Sequence, residues 1–206
     1  MNNRWNKVIY KFGSVVYDKF FNTGKFLEAR KRIFRDSIFK SEDKILFVGV
    51  GTGADLELIN HKELTIIAID YSNDMLDKAR AKFKGSGIEF FNMDAQEMDF
   101  SDNQFDLVVA SLILTVVPDA DKCMEEMARV LKPQGKIMIF DKFAPKDKNL
   151  AFLKQILRPI IQVFGTDIGR NFETMYENQK EKLSIEEDLP ILFNGMYRKI
   201  VLRKIV

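Results

Sequence analysis

Short apolar runs alternate with helical patterns from residue 45 to residue 141, and this alternation restricts the fold more than any other feature. The predicted strands are 45–50, 64–69, 88–92, 105–110 and 136–141; the predicted helices are near 54–60, at 73–84 and at 121–131. Nearly continuous apolar strands with helices between them are typical of a parallel sheet buried on both faces. We therefore predict an α/β fold with helices on both sides of the sheet.

The end of the chain follows a different pattern. Asn194-Gly195 is a strong signal for a tight turn, and residues 197–206 alternate charged with β-branched side chains. A hairpin that adds an antiparallel strand to the end of the parallel sheet fits this pattern.

Composition excludes several classes of protein. The 206 residues hold one cysteine, Cys123, and one histidine, His61, which rules out disulfide scaffolds, zinc fingers and histidine-rich metal sites. We expect no metal, and we expect the reducing cytosol as the compartment. Lys7 and Lys11 interrupt the apolar positions near the N-terminus, so we expect no secretion signal. A net charge of +2 gives no reason to expect a nucleic acid partner.

Two amphipathic segments lie outside the strand pattern, and no apolar run approaches the roughly 20 residues of a membrane-spanning helix. The N-terminal stripe consists of Trp5, Val8, Ile9, Phe12 and Val16, with Arg4, Lys7 and Lys11 on the other side. The second stripe consists of Phe152, Leu153, Ile156, Leu157, Ile160, Ile161 and Phe164, with no acid at its polar positions. Such helices either lie on an anionic membrane surface or pack as a lid. Residues 1–44 carry eleven basic and five acidic side chains, which fits either an anionic partner or a solvated helix face.

The strongest motif is a glycine-rich turn directly after the first predicted strand. Gly49, Gly51 and Gly53 permit unusual backbone angles and close approach of a ligand, and the following helix presents free N–H groups. Asp70 ends the second predicted strand, 19 residues after Gly51, where a carboxylate can accept two hydrogen bonds from a ribose diol. The alternative role of Asp70 is a helix N-cap, but Ser72 or Asn73 already serves that role well.

The third predicted strand ends in Asn92-Met93-Asp94-Ala95. In an open α/β sheet the carboxyl ends of the strands line the ligand crevice, so Asp94 is positioned to accept a hydrogen bond from an adenine amine. The alternative is an aspartate that stabilises only its own turn.

With these motifs in place, the chain resembles the class I S-adenosylmethionine (SAM)-dependent methyltransferases. The resemblance rests on ILFVGVGTG (45–53), IIAIDYSNDMLDKAR (66–80), NMDAQEMDF (92–100) and the stretch 105–137. It implies a Rossmann-like, seven-stranded, mostly parallel sheet whose last strand is antiparallel, and SAM as cofactor with S-adenosylhomocysteine as product. By position, the resemblance implies that the methionine moiety is bordered by Gly49, Gly51 and Gly53, and that the ribose is bound by Asp70. The adenine would lie near Tyr71 and Met75 and would be held by Asp94 and Ala95. The sulfonium side would be closed by Ser111 and Leu112. Many members carry an acid two residues before the first glycine, where this chain has Phe47.

A narrower resemblance connects the chain to bacterial phosphatidylethanolamine N-methyltransferases and to quinone-biosynthesis methyltransferases. It rests on VGVGTG (48–53), Val16-Tyr17-Asp18, TVVPD (115–119) and the segment 142–164. It implies a lipid or other small-molecule methyl acceptor and peripheral contact with an anionic inner membrane surface. We expect residues 1–40 to form a helical lid or membrane-contact segment and residues 41–206 the methyltransferase domain, with 143–180 as a helical insertion over the acceptor site.

An amine acceptor must lose a proton before it attacks the methyl group. Tyr17 is our first candidate to orient or deprotonate it, and Tyr10, Tyr176 and Asp18 are the others. Two different functions remain open at this point. The glycine turn and Asp70 also fit a nicotinamide-dependent dehydrogenase, and Phe47 fits a cofactor-binding module without activity.

Overall fold

The computed structural model describes residues 23–35, 39–144 and 170–206. Within these residues the helices are α1 (Gly24–Arg35), α2 (Asn73–Lys82), α3 (Ala120–Val130) and α4 (Phe172–Glu177). The strands are β1 (Lys44–Val48), β2 (Thr65–Asp70), β3 (Glu89–Asn92), β4 (Phe105–Ser111), β5 (Leu131–Lys142), β6 (Leu183–Leu192) and β7 (Tyr197–Lys204).

The seven strands form one sheet in the order β3-β2-β1-β4-β5-β7-β6. Strands β1 to β5 pair in parallel, and β7 runs antiparallel to both of its neighbours, β5 and β6. This topology confirms the predicted fold: a mostly parallel sheet of seven strands with an antiparallel last strand.

Two apolar layers cover the sheet, because alternate residues of each buried strand point to opposite faces. On one face α3 and α4 pack against β-strand side chains such as Val48 and Ala110. On the other face Phe26, Ile33 and Phe34 of α1 pack against Phe47 and its neighbours. Helices therefore lie on both faces, as predicted.

The structure differs from the prediction at two connections. The helix predicted near 54–60 is a 3₁₀ turn, Leu56–Leu58, followed by a second one, His61–Glu63. The fifth strand begins at Leu131 rather than at residue 136, because Leu131 already pairs with Phe105 of β4. The pairing is irregular over the next four residues and resumes at Lys136, which pairs with Leu107. The helix predicted at 121–131 corresponds to α3, which begins and ends one residue earlier, at Ala120 and Val130.

The predicted C-terminal hairpin is present. Its connection is four residues long, closed by a hydrogen bond of 3.1 Å from Met196 N to Phe193 O. Phe193, Asn194 and Gly195 all have positive φ, at 50°, 52° and 84°. The tip of this hairpin lies at the carboxyl end of β5, because Tyr197 pairs with Lys142.

Several predicted features fall outside the described residues. These are Tyr17 and the other candidates Tyr10 and Asp18, the N-terminal stripe and the second stripe. Across 23–35, 39–144 and 170–206, no helix is both long and apolar enough to cross a membrane.

Candidate active site

Asp70 and the glycine turn meet at the carboxyl edge of the sheet. The Asp70 carboxylate accepts hydrogen bonds of 2.8 Å from Gly51 N through Oδ2 and of 2.8 Å from Ser72 N through Oδ1. Gly51 and Asp70 are 19 positions apart in the sequence, and the parallel pairing of β1 with β2 brings both residues to one edge. Each carboxylate oxygen can accept a further hydrogen bond, which leaves capacity for a ligand diol.

Strand β3 fixes the turn that follows Asp70. Asn92 pairs with Asp70 in the sheet, and its side-chain amide donates to the carbonyls of Asp70 (3.0 Å) and Tyr71 (2.9 Å). Met93 N also donates to the Asp70 carbonyl at 3.1 Å. The β2 and β3 ends are therefore held together at the carboxyl edge of the sheet.

The three glycines have different surroundings, although all have positive φ: 69° at Gly49, 56° at Gly51 and 78° at Gly53. A Cβ on Gly49 would lie 2.5 Å from Ile113 Cδ1, and one on Gly53 would lie 2.7 Å from Phe83 Cε2. At Gly51, no heavy atom of the described residues lies within 4 Å of that position. Gly51 is thus the glycine that faces open space, while the other two allow close internal packing.

Substitution of Gly53 by alanine is expected to lower the free energy of unfolding by about 2–3 kcal/mol. The new methyl group would overlap the Phe83 ring, and an L-residue at this positive φ is strained. Gly87→Ala is the matched control, with φ at 82° and open space around the new methyl group, and should cost only about 1 kcal/mol. Urea denaturation measures both, and equal losses for the two variants would contradict the packing argument.

The turn after Asp70 leads directly into α2. Ser72 caps this helix, since its Oγ accepts from Met75 N at 3.4 Å, which confirms the predicted cap. Tyr71 is 45% exposed, whereas Met75 is buried. The cap leaves the Asp70 carboxylate oriented by Ser72 N and Gly51 N rather than by the helix end.

Asp94 takes part in its own turn. Its Oδ1 accepts from Gln96 N at 2.9 Å and from Gln96 Nε2 at 2.8 Å, and Glu97 N donates to the Asp94 carbonyl at 3.1 Å. Ala95 beside it is buried. The turn role is therefore present, and a ligand role for Asp94 and Ala95 stays a prediction.

Strand β4 ends in two unusual residues. Ser111 Oγ is buried and has no hydrogen-bond partner among the described residues. Leu112 has φ of 56° and donates its N–H to the Phe140 carbonyl at 2.7 Å. A leucine in the left-handed region costs about 1–3 kcal/mol, and such strain is concentrated at functional sites. An orphaned hydroxyl beside a strained backbone is the environment expected where a ligand group completes the bonding.

Burial raises the pKa of the Asp70 carboxyl above its ordinary value, although the N–H groups of Ser72 and Gly51 act in the opposite direction. A carboxylate that the fold holds at an electrostatic cost is typical of a functional site.

Phe47 occupies the position where the family resemblance leads us to expect an acid. Its side chain is 2% exposed and packs in the apolar layer with α1. Among the described residues, β1 therefore supplies no carboxylate to the crevice.

An ion pair that the sequence analysis missed holds the far side of the glycine turn. Arg30 of α1 is 3% exposed, and its Nε donates to Asp55 Oδ1 at 2.7 Å. Asp55 follows Gly53 by two residues and begins the first 3₁₀ turn. The pair joins α1 to the glycine turn across 25 residues of sequence, a separation that no local spacing rule detects.

Of the candidates for handling the acceptor, the structure describes Tyr176. It lies on α4 and stacks on Phe172, with ring centroids 6.0 Å apart. No group of three or more His, Cys, Asp or Glu side chains suited to a metal ion occurs in the described part of the chain.

Comparison with known proteins identifies the family. The "Methyltransferase domain" family profile matches residues 46–139, which include the glycine turn, Asp70, Asp94 and Ser111. A phosphatidylethanolamine N-methyltransferase from Cereibacter sphaeroides is 32% identical over 186 residues, covering 88% of this chain and 89% of that protein. The chain belongs to the class I SAM-dependent methyltransferases. SAM is therefore its cofactor, and family membership decides against the dehydrogenase and the inactive module.

Other relatives of this methyltransferase are named for quinone biosynthesis. A demethylmenaquinone methyltransferase from Lactobacillus johnsonii is 35% identical, covering 70% of this chain and 62% of that protein. A ubiquinone/menaquinone biosynthesis C-methyltransferase from Vibrio cholerae is 34% identical, and the matched region spans 60% of this chain and about half, 46%, of that relative.

Solved structures confirm the fold of the methyltransferase. A SAM-dependent methyltransferase from Thermotoga maritima superposes with a TM-score of 0.70 at 16% identity, covering 95% of this chain and 98% of that chain. Identity at this level supports the fold and leaves the acceptor to other arguments.

Proposed function

We propose that this methyltransferase N-methylates the amine head group of a phosphatidylethanolamine-like phospholipid at an anionic membrane surface. The observation that carries the proposal is the likeness to the Cereibacter sphaeroides enzyme along nearly the whole of both chains, 88% and 89%. The likeness to the quinone-biosynthesis enzymes covers 62% or less of those relatives.

Two junctions near the carboxyl end of β5, one at α1 and one between Ala144 and Arg170, support this proposal. At the first junction, Phe26 of α1 packs on Phe193 and Tyr197 at the hairpin tip, with ring centroids 5.7 and 5.1 Å apart. After β5, Ala144 N donates to the Arg170 carbonyl at 2.8 Å, so the two residues that flank 145–169 lie side by side. Both junctions are at the carboxyl edge of the sheet, beside the crevice.

These junctions give the two stripes a role in the proposal. The N-terminal stripe precedes the first junction, and the second stripe lies within 145–169. We propose that both stripes contact anionic lipid with their aromatic and aliphatic sides, as amphipathic helices with basic polar sides do. In this proposal residues 1–40 form the membrane-contact segment of a catalytic domain 41–206, and 143–180 covers the acceptor.

The crevice residues fit SAM by the chemistry that they offer. Open space beside Gly51, the paired oxygens of Asp70 and the orphaned Ser111 Oγ are the features that support this fit. We propose that the methionine moiety is bordered by Gly49, Gly51 and Gly53, and that the ribose hydroxyls donate to Asp70. In this proposal the adenine is flanked by Tyr71 and Met75, and its amine and ring are held by Asp94 and Ala95. The sulfonium side is closed by Ser111 and Leu112.

SAM supplies a methyl group that its sulfonium already activates, so the protein needs to position the acceptor more than to activate it. The crevice walls exclude water and hold the amine in line with the methyl group. A phosphatidylethanolamine amine is protonated at neutral pH, so one side chain must accept its proton. We propose that Tyr17 orients the amine and that its phenol oxygen accepts the amine proton and releases it to water, which leaves the nitrogen lone pair free to attack the methyl group.

Methyl transfer to vesicles tests the proposal. Labelled SAM and vesicles that mix phosphatidylethanolamine with an anionic phospholipid are expected to give labelled lipid, with less label when a zwitterionic phospholipid replaces the anionic one. The double variant Lys7→Gln/Lys11→Gln should reduce transfer roughly 30-fold, since each of the two cations near such a surface contributes about 1 kcal/mol. Lys62→Gln/Lys84→Gln, the matched control, removes the same charge from exposed positions before β2 and β3, at the opposite edge of the sheet.

Label in a quinone precursor and none in phosphatidylethanolamine would overturn the lipid proposal in favour of the quinone-biosynthesis alternative. Equal loss of transfer in both double variants would contradict the membrane role of the N-terminal stripe.

A further inference from the structure

The loop after β4, residues 111–118, is held on several sides. Ile113 packs over Gly49, leaving no room for a side chain there. The Arg170 guanidinium donates to the carbonyls of Val117 and of Pro118, the latter at 3.1 Å. The loop is thus in contact with the glycine turn at one end and with the residue that follows segment 145–169 at the other.

A buried carboxylate holds the middle of this loop. Asp141, near the end of β5, is 0% exposed and accepts from Thr115 Oγ1 at 2.8 Å, from Thr115 N at 3.2 Å and from Lys142 N at 2.8 Å. Burial raises the pKa of Asp141, and the hydrogen bonds from Thr115 and Lys142 act in the opposite direction. Two of its three hydrogen bonds go to one residue of the loop.

The surroundings make this carboxylate unusual. The adjacent Phe140 and Leu114 are fully buried and apolar. A charged group in such a place is unfavourable unless hydrogen bonds compensate, and an apolar residue would satisfy packing without them. Asp141 therefore does something that packing alone does not require, and its partner Thr115 lies four residues beyond Ser111, whose hydroxyl lacks a partner among the described residues.

We propose that Asp141 and Thr115 are positioning residues for methyl transfer. Their hydrogen bonds fix the loop, so that Ser111 and Leu112, whose backbone is in the left-handed region, lie at the sulfonium side of the proposed cofactor site. Neither side chain is exposed, so both act through the loop rather than on the reacting atoms. The pair sets the turnover rate more than the affinity for the cofactor, because Asp70 ends β2 and Gly51 lies in the turn after β1, both outside this loop.

Two substitutions at one position test this proposal. Thr115→Val keeps the shape and removes the hydroxyl donor, whereas Thr115→Ser keeps the donor. Thr115→Val is expected to lower kcat roughly 10- to 100-fold, the range that follows from misplacing a reacting group by about 1 Å. The dissociation constant of S-adenosylhomocysteine should change less than about 3-fold by this argument, and Thr115→Ser should restore kcat to within about 3-fold. Thr65→Val makes the same change at an exposed position at the start of β2 and should leave both constants unaltered.

Hydrogen exchange provides a readout that needs no acceptor. Amides of 111–118 should exchange faster in Thr115→Val than in the wild type with S-adenosylhomocysteine bound, while amides of β1 exchange at the same rate. Equal kcat in the valine and serine variants, or a loss of cofactor affinity as large as the loss of kcat, would overturn the proposal. The inference rests on methyl transfer and not on the lipid acceptor: if the wild type labels a quinone precursor instead, the lipid proposal fails and the same kcat comparison is made on that acceptor.

Discussion

Gly51→Ala is expected to weaken binding of S-adenosylhomocysteine by about 100-fold while the protein stays folded. The new methyl group meets no described atom within 4 Å, so it fits the free protein, but it points into the space proposed for the cofactor. Overpacking against a bound ligand costs typically 1–3 kcal/mol, which at the upper end of that range is about a 100-fold loss. Calorimetric titration measures the effect.

Gly85→Ala is the matched control for this variant. Gly85 also has positive φ, 81°, and also has open space around a new methyl group. It lies in the connection between α2 and β3, at the amino ends of the strands and therefore opposite the candidate site. Both variants should lose about 1 kcal/mol of stability from the strained backbone. If Gly51→Ala binds S-adenosylhomocysteine as tightly as Gly85→Ala does, the space beside Gly51 is not the cofactor site.

Asp70→Asn is expected to weaken S-adenosylhomocysteine binding by about 100-fold. Hydrogen bonds to a charged group contribute about 1.5–3 kcal/mol each, and the amide cannot accept on both of its atoms. Asp74→Asn, at an exposed position in the first turn of α2, removes the same charge nearby and should change the affinity less than about 2-fold.

A ligand that lacks the ribose 2′-hydroxyl separates direct contact from damage to the turn, since Asp70 also accepts from Gly51 N and Ser72 N. The wild type should bind 2′-deoxy-S-adenosylhomocysteine about 10-fold more weakly than the parent compound. Asp70→Ala, which leaves no side-chain acceptor at this position, should show no such difference, because the hydroxyl has already lost its acceptor. A 10-fold difference that persists in the variant would show that the hydroxyl binds elsewhere.

The pKa of Asp70 adds a pH dependence with a defined sign. The ribose hydroxyls donate to the ionised carboxylate, so affinity should fall as the pH decreases through the pKa of the free protein. Because burial raises that pKa, the fall begins at a higher pH than for an ordinary aspartate. For folding the sign is opposite: the stability that Asp70 contributes is present below its unfolded pKa and is lost as the pH rises through the folded pKa. The ionised form of Asp70 therefore favours ligand binding and lowers the free energy of unfolding.

Much of the fold follows from the sequence because strand burial and helix ends leave local signals. Local residue types predicted a helix at 121–131 and a helix cap at Ser72 or Asn73; the structure has the helix ending one residue earlier, at Val130, and the cap at Ser72. The early start of β5 at Leu131 depends on a cross-strand partner, Phe105, that no local pattern identifies. The 3₁₀ turn at Leu56–Leu58 also has a tertiary contact at its start, because Arg30 of α1 donates a hydrogen bond to the Asp55 carboxylate.

The candidate site was predictable to the extent that it lies at strand ends. Gly51 and Asp70 could be found because a parallel crossover brings strand ends 19 residues apart to one edge, and the structure joins them by a hydrogen bond of 2.8 Å. The Thr115–Asp141 pair joins two strand ends whose residues are 26 positions apart, and neither residue type is unusual in a strand or loop. Only the burial of Asp141, visible in three dimensions, marks it out.

A crystal structure of the protein with S-adenosylhomocysteine tests the central claim most directly. The account predicts both ribose hydroxyls within hydrogen-bond distance of the Asp70 carboxylate, the backbone of Gly51 against the ligand, and the sulfur beside Ser111 and Leu112. Ligand bound away from the carboxyl edge of β1 and β2, or a ribose whose hydroxyls contact no oxygen of Asp70, would contradict it.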